Sequence, residues 1–125
     1  MVSIKCNKPT YFDVDDTLIM WNPSTEMKDK FGIAYTSPTG LVSVFVPHLP
    51  HIEQLKRHAE RGHTIIVWSA GGSDWAELAV KILGLQDFVS LTIEKPVWSY
   101  DDKKPEEFMP KSYYWPLQEI IGDTK

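Results

Sequence analysis

The run Thr64-Ile65-Ile66-Val67-Trp68 is almost unbroken in apolar and β-branched side chains, and such a run suits a strand covered on both faces. Its surroundings extend the constraint. Before it, Leu49, Ile52, Leu55 and Ala59 recur at helical spacing between His48 and Arg61, and Gly62 stands where a helix ends. After it, Ser69-Ala70-Gly71-Gly72 forms a loop, Ser73-Asp74 is placed to cap a second helix, and Trp75, Leu78, Ala79 and Ile82 mark that helix as far as Gly84. Strands that alternate with helices through short links imply an α/β fold with a parallel sheet. Ligands of such sheets bind beyond the carboxyl ends of the strands.

The remaining segments fill out this plan. Pro9 to Phe12 reads as a short entering strand, and Asn22-Pro23-Ser24-Thr25 as a turn. Phe31 to Val46 reads as a hairpin of two strands around Thr36-Ser37-Pro38-Thr39-Gly40. Phe88 to Ile93 is a further strand or an extended approach to Lys95-Pro96, and Val97-Trp98-Ser99-Tyr100 a last short strand ahead of Asp101-Asp102. The tail from Glu106 to Lys125 holds one short helix. Its aromatic group, Tyr113, Tyr114 and Trp115, serves as core or as a patch between copies in a homo-oligomer.

With 125 residues the chain reads as one domain spanning positions 1 to 125, and 42% hydrophobic residues are enough to build a core. The net charge of −4 argues against a domain that coats nucleic acid electrostatically, which leaves nucleic acid only as a substrate. One cysteine, Cys6, makes no internal disulfide, and no stretch reads as a secretory leader or membrane span. The expectation is a cytoplasmic protein with an inert thiol and no membrane partner.

The chemistry gathers after the first strand, where Asp13-Val14-Asp15-Asp16-Thr17 places three carboxylates within four positions. Such crowding raises mutual repulsion, and a divalent cation with oxygen ligands, or a reactive role, is the simplest compensation. Asp16 suits a turn, and Thr17 either braces the loop by a hydrogen bond or is simply a strand-end Thr. His48, His51, His58 and His63 have no Cys or paired carboxylate to complete a zinc set.

Together, Asp13-Val14-Asp15-Asp16-Thr17, Ser69 after an apolar strand, Lys95, and Asp101-Asp102 stand in an order that resembles the haloacid dehalogenase superfamily of phosphotransferases. The first stretch matches that superfamily's DxDx(T/V) signature; the others draw their weight from their order. The resemblance implies a three-layer, Rossmann-like parallel sheet with helices on both faces, a small β-hairpin flap and no large cap domain. Residues 18 to 68, between the first two motifs, leave room for no more than the flap and one crossover helix.

The resemblance also implies roles. Asp13 would attack phosphorus to form an aspartyl phosphate. Asp15 would protonate the leaving oxygen and later take a proton from water, provided it enters the cycle protonated. Ser69 would donate to a phosphoryl oxygen, and Lys95, with Lys103 and Lys104 as rivals, would offset developing charge. The amides of Val14, Ala70 and Gly71 would add phosphate donors. Mg2+ would be held by the Asp13 carboxylate, the Asp15 carbonyl and one of Asp102 and Asp101, with Asp102 favoured as the direct ligand. The expected function is a magnesium-dependent phosphomonoesterase. Its open site suits a phosphorylated substrate such as a nucleotide, a nucleic acid end or a phosphoprotein, gated by the flap from Ile33 to Val46.

Two other classes compete. A phospho-receiver needs an acceptor Asp at the end of a middle strand, but Val42-Ser43-Val44-Phe45-Val46 ends in Pro47. A catalytically silent interaction module of the same fold would keep the architecture and show no turnover.

Overall fold

The computed structural model describes residues 8–109, so Cys6 and the aromatic group Tyr113, Tyr114 and Trp115 lie outside the described residues. Within them, β1 (Pro9–Asp13), β5 (Thr64–Ser69) and β6 (Leu91–Glu94) form a parallel sheet in the order β1-β5-β6. Register pairs Pro9 with Thr64 and Asp13 with Trp68, then Ile66 with Leu91 and Ser69 with Glu94. Parallel neighbours need a crossover. Helix α2 (Leu49–Glu60) lies in the first connection, and α3 (Ser73–Ile82) forms the second. The three strand ends therefore share one edge of the sheet.

The apolar run behaves as its sequence requires. Ile65 and Val67 are fully buried and Ile66 nearly so, although alternate residues of a strand face opposite ways. Leu55 of α2, and Ala76, Ala79 and Val80 of α3, join Ile65, Val67, Val14, Leu18 and Phe45 in one apolar cluster. Each large aliphatic side chain buried there contributes about 1.5–3 kcal/mol. Helix α2 ends as expected near Gly62, whose φ of 89° suits glycine. The N-cap of α3 is Gly72 at φ 109°, not Ser73 or Asp74. Both lie inside the first turn, where the Asp74 carboxylate faces the positive end of the helix.

A second sheet is antiparallel, in the order β2-β4-β3, from β2 (Ile19–Met20), β3 (Ile33–Thr36) and β4 (Val42–Pro47). Its hairpin closes through Ser37 N–H to the Leu41 carbonyl at 2.8 Å, with Gly40 at φ 91°. The expected hairpin is thus present, extended by β2, which pairs Met20 with Val46. Phe31 belongs not to the hairpin but to helix α1 (Thr25–Phe31), whose first residue lies in the expected turn. No residue of α1 is buried, so no apolar stripe announces it. Ser24 caps it, its side chain accepting from the Met27 amide at 3.2 Å.

One expected strand is shorter than the stretch read for it, and another is absent. The stretch from Phe88 to Ser90 only approaches β6, tied by Ser90 N–H to the Ile65 carbonyl at 2.8 Å. Val97 to Tyr100 forms no strand. Its Val97, Trp98 and Tyr100 are 87%, 81% and 95% exposed. Strand propensity there finds no pairing edge, and Pro96 lacks the N–H that a ladder would use. The segment ends in a single helical turn, α4 (Pro105–Phe108), and the tail beyond Met109, where a short helix is also open from sequence, lies outside the described residues.

Candidate functional site

Asp13 closes β1 at the shared strand edge, and its half-buried carboxylate has two partners. Lys95 Nζ, which follows β6, lies 3.3 Å from Oδ1, while Thr17 Oγ1 donates to Oδ2 at 3.1 Å. Residues at the ends of two strands separated by β5 thus meet at one carboxylate. The Lys95 backbone is itself fixed, its N–H donating to the Ser69 carbonyl at 2.9 Å. Its ammonium also stands 5.9 Å from the centre of the Trp68 ring, which packs on Tyr11 at 4.4 Å. Of the three lysines weighed from sequence, Lys95 is the one at Asp13; Lys103 and Lys104 lie in the exposed turn that precedes and caps α4.

The loop after β1 is wound around one carbonyl. Val14 is fully buried, and its C=O accepts from the amides of Thr17, Leu18 and Ile19 at 3.1, 2.9 and 3.1 Å. Asp16 turns the chain at φ 61°, a left-handed conformation that Asp tolerates, and accepts from the Trp21 amide at 3.3 Å. Asp16 is thus structural, as its sequence position suggested.

Asp15 faces a different group of residues. Its Oδ1 accepts from the Trp21 indole N–H at 2.8 Å, and the Trp75 indole N–H lies 3.2 Å from both carboxylate oxygens. Tyr35 of the flap packs on Trp75 at 5.2 Å, and Phe45 on Trp21 at 5.3 Å. From sequence, Trp75 reads only as part of the apolar stripe of the second helix, and Trp21 belongs to no motif. Only the 60-residue separation of Asp15 and Trp75, closed by the fold, makes the contact.

Ser69 differs from its expected setting. It shares the buried face of Ile65 and Val67, is fully buried, and its Oγ accepts from the Gly71 amide at 2.9 Å. That amide therefore points inward to Ser69 and not outward to an anion. A Cβ at Gly71 would stand 3.2 Å from the Trp75 ring and 3.3 Å from Ser69 Oγ, so a larger residue would crowd both neighbours. Ala70 sits exposed in the same loop.

Asp101 and Asp102 are not brought to Asp13 and Asp15. They lie exposed on the segment after Lys95, where Asp101 Oδ1 accepts from the Lys103 amide at 3.0 Å. The neighbouring Asp102 side chain, then that amide, hold the Asp101 carboxyl below its usual range. Among the described residues no three His, Cys, Asp or Glu side chains form a metal-binding group. The donor set implied for magnesium is therefore incomplete here: Asp13 is in place, Lys95 and Thr17 already engage its oxygens, and the last acidic partner stands elsewhere.

Helix α2 reaches the acidic loop through two histidines. His51 Nδ1 lies 2.7 Å from the Thr17 carbonyl, and the His48 amide donates to the Leu18 carbonyl at 2.8 Å. The two rings stack at 4.0 Å. Burial first, then the nearby His51, lowers the His48 pKa from 6.5 to about 4, and burial lowers that of His51 as well. Their role is to seat the helix under the loop. His58 and His63 form a separate pair, Nδ1 to Nδ1 at 2.9 Å, beside Phe12.

No helix among the described residues is long and apolar enough to cross a membrane. Compared with protein-family models, curated proteins and solved structures, the chain matches none.

Proposed function

We propose that the chain is a phosphomonoesterase of the haloacid dehalogenase type, and the observation that carries this reading is the meeting of Asp13 and Lys95 at 3.3 Å across the strand ends. Asp13 is the nucleophile. One carboxylate oxygen bonds to phosphorus as the bond from phosphorus to the leaving oxygen breaks, and Asp15 gives that oxygen its proton. Water then attacks the aspartyl phosphate, Asp15 recovers a proton, and inorganic phosphate departs with Asp13 restored. Lys95 balances the charge where two anions meet, and Thr17 fixes the attacking carboxylate. Ser69 acts from inside the fold by shaping the Gly71 turn.

Cover on both faces of β5 supports the three-layer, Rossmann-like form of this fold. Magnesium remains the ion this chemistry calls for, since it would neutralise the phosphoryl oxygens when bound. A phosphorylated small molecule, nucleic acid end or protein is the substrate class, in keeping with an open site and a flap built from β3 and β4. The test is phosphate release from phosphate esters by the wild-type chain and by Asp13→Asn, with and without magnesium. The exposed position of Asp101 and Asp102 favours a second reading, a silent interaction module. It predicts no turnover of any ester in a broad panel.

A further inference from the structure

The flap and α3 meet Asp15 through a pair of indoles, and this arrangement is built, not incidental. Trp21 leaves β2 and Trp75 opens α3, yet their rings stack at 6.2 Å with planes 25° apart. Both N–H groups converge on the same carboxylate. A tryptophan N–H is a donor only, so an indole beside Asp15 can do nothing polar except hold an acceptor. Gly71 leaves the space in which the Trp75 ring lies. Tyr35 of β3 closes the stack from the flap side at 5.2 Å.

We infer that Trp21 and Trp75 are the positioning residues of Asp15, and that through Tyr35 they tie the place of its carboxylate to the flap. This rests on the phosphatase reading only for the use Asp15 makes of that position. Two donors fix a carboxylate in orientation as well as place, which one cannot do. N–H donors favour the ionised form of a carboxyl group, but a group that must hand a proton to the leaving oxygen and later receive one from water gains more from fixed direction than it loses by that preference. The gain is largest when the leaving group is poor.

The test has two arms. In isotope-labelled protein, the indole N–H resonances of Trp21 and Trp75, assigned with Trp21→Phe and Trp75→Phe, should both move in Asp15→Ala while that of Trp98 stays. Should a phenylalanine variant fail to fold, the Asp15→Ala spectrum alone decides: two indole signals move, or the inference is overturned. In the kinetic arm, Trp75→Phe should lower kcat for phenyl phosphate about tenfold with KM unchanged. It should lower kcat for p-nitrophenyl phosphate less, and should have no further effect in an Asp15→Ala background. An equal loss for both esters would assign the indoles to general support and refute the inference. If the wild-type chain turns over neither ester while two indole signals follow Asp15→Ala, the phosphatase reading falls and the positioning of Asp15 stands.

Discussion

The edge where β1, β5 and β6 end and the segment from Pro96 to Phe108 have much the same local composition, short apolar or β-branched stretches followed by charge, yet they behave differently. At the sheet edge each stretch has a partner strand. Register then fixes where the next polar residue falls, so Asp13 and Lys95 meet although 81 positions intervene between them in the chain. Beyond Lys95 the same kind of stretch has no ladder, and Val97, Trp98 and Tyr100 stand exposed while Asp101 and Asp102 close a local turn. Chemistry in this chain is placed by pairing. Composition alone does not place it.

The largest effect that would sharpen this contrast is catalytic. Lys95→Met should lower kcat for p-nitrophenyl phosphate by about 10²–10³-fold, the loss seen when one preorganised electrostatic partner is removed, whereas Lys103→Met should change it by less than about twofold. Equal losses in the two variants would break the distinction. Stability should divide in the same way. Leu55→Ala removes a fully buried side chain at the centre of the core and should cost about 2–5 kcal/mol in denaturant unfolding. Val97→Ala, on the exposed segment, should stay within about 0.5 kcal/mol.

The histidines under the acidic loop give a third comparison, read by pH. His48 is held neutral when folded, so between its unfolded value of 6.5 and about 4 the unfolded chain binds more protons. Stability is complete above that window and is lost as pH falls through it, by about 3 kcal/mol from His48 alone, with His51 acting in the same direction. Denaturant midpoints from neutral to acid pH should show the loss, and His48→Gln should flatten it; an unchanged slope would contradict the assignment. The smallest effect belongs to Asp101→Asn with Asp102→Asn. In the geometry described, the double variant keeps its unfolding midpoint and its activity. Loss of magnesium dependence in it would instead show that the segment folds onto Asp13.

The legible parts of the fold are those whose burial is periodic. The run from Thr64 to Trp68, the stripe of Ile52 and Leu55, and the hairpin closed at Gly40 all read correctly, because burial or a left-handed glycine dictates residue type there. Helix α1 was hidden, since a helix with no buried residue needs only a Ser24 cap and an exposed pair such as Glu26 and Lys30. In the candidate site, motif order and strand ends lead to Asp13 and Lys95, which the fold brings within 3.3 Å, whereas the bond from Thr17 to Asp13 needs the loop's actual turn. The turn of Ser69 into the core follows from strand parity, which a run covered on both faces obscures, and the indoles at Asp15 follow from contacts between elements far apart in sequence, which leave no local signal.

The most direct measurement is phosphate release from p-nitrophenyl phosphate by the wild-type chain and by Asp13→Asn, at equal protein concentration and with magnesium present. The account predicts turnover by the wild type and a loss of more than about a thousandfold in the variant, whose unfolding midpoint shows it to be folded. Equal turnover by the two proteins would contradict Asp13 as the nucleophile.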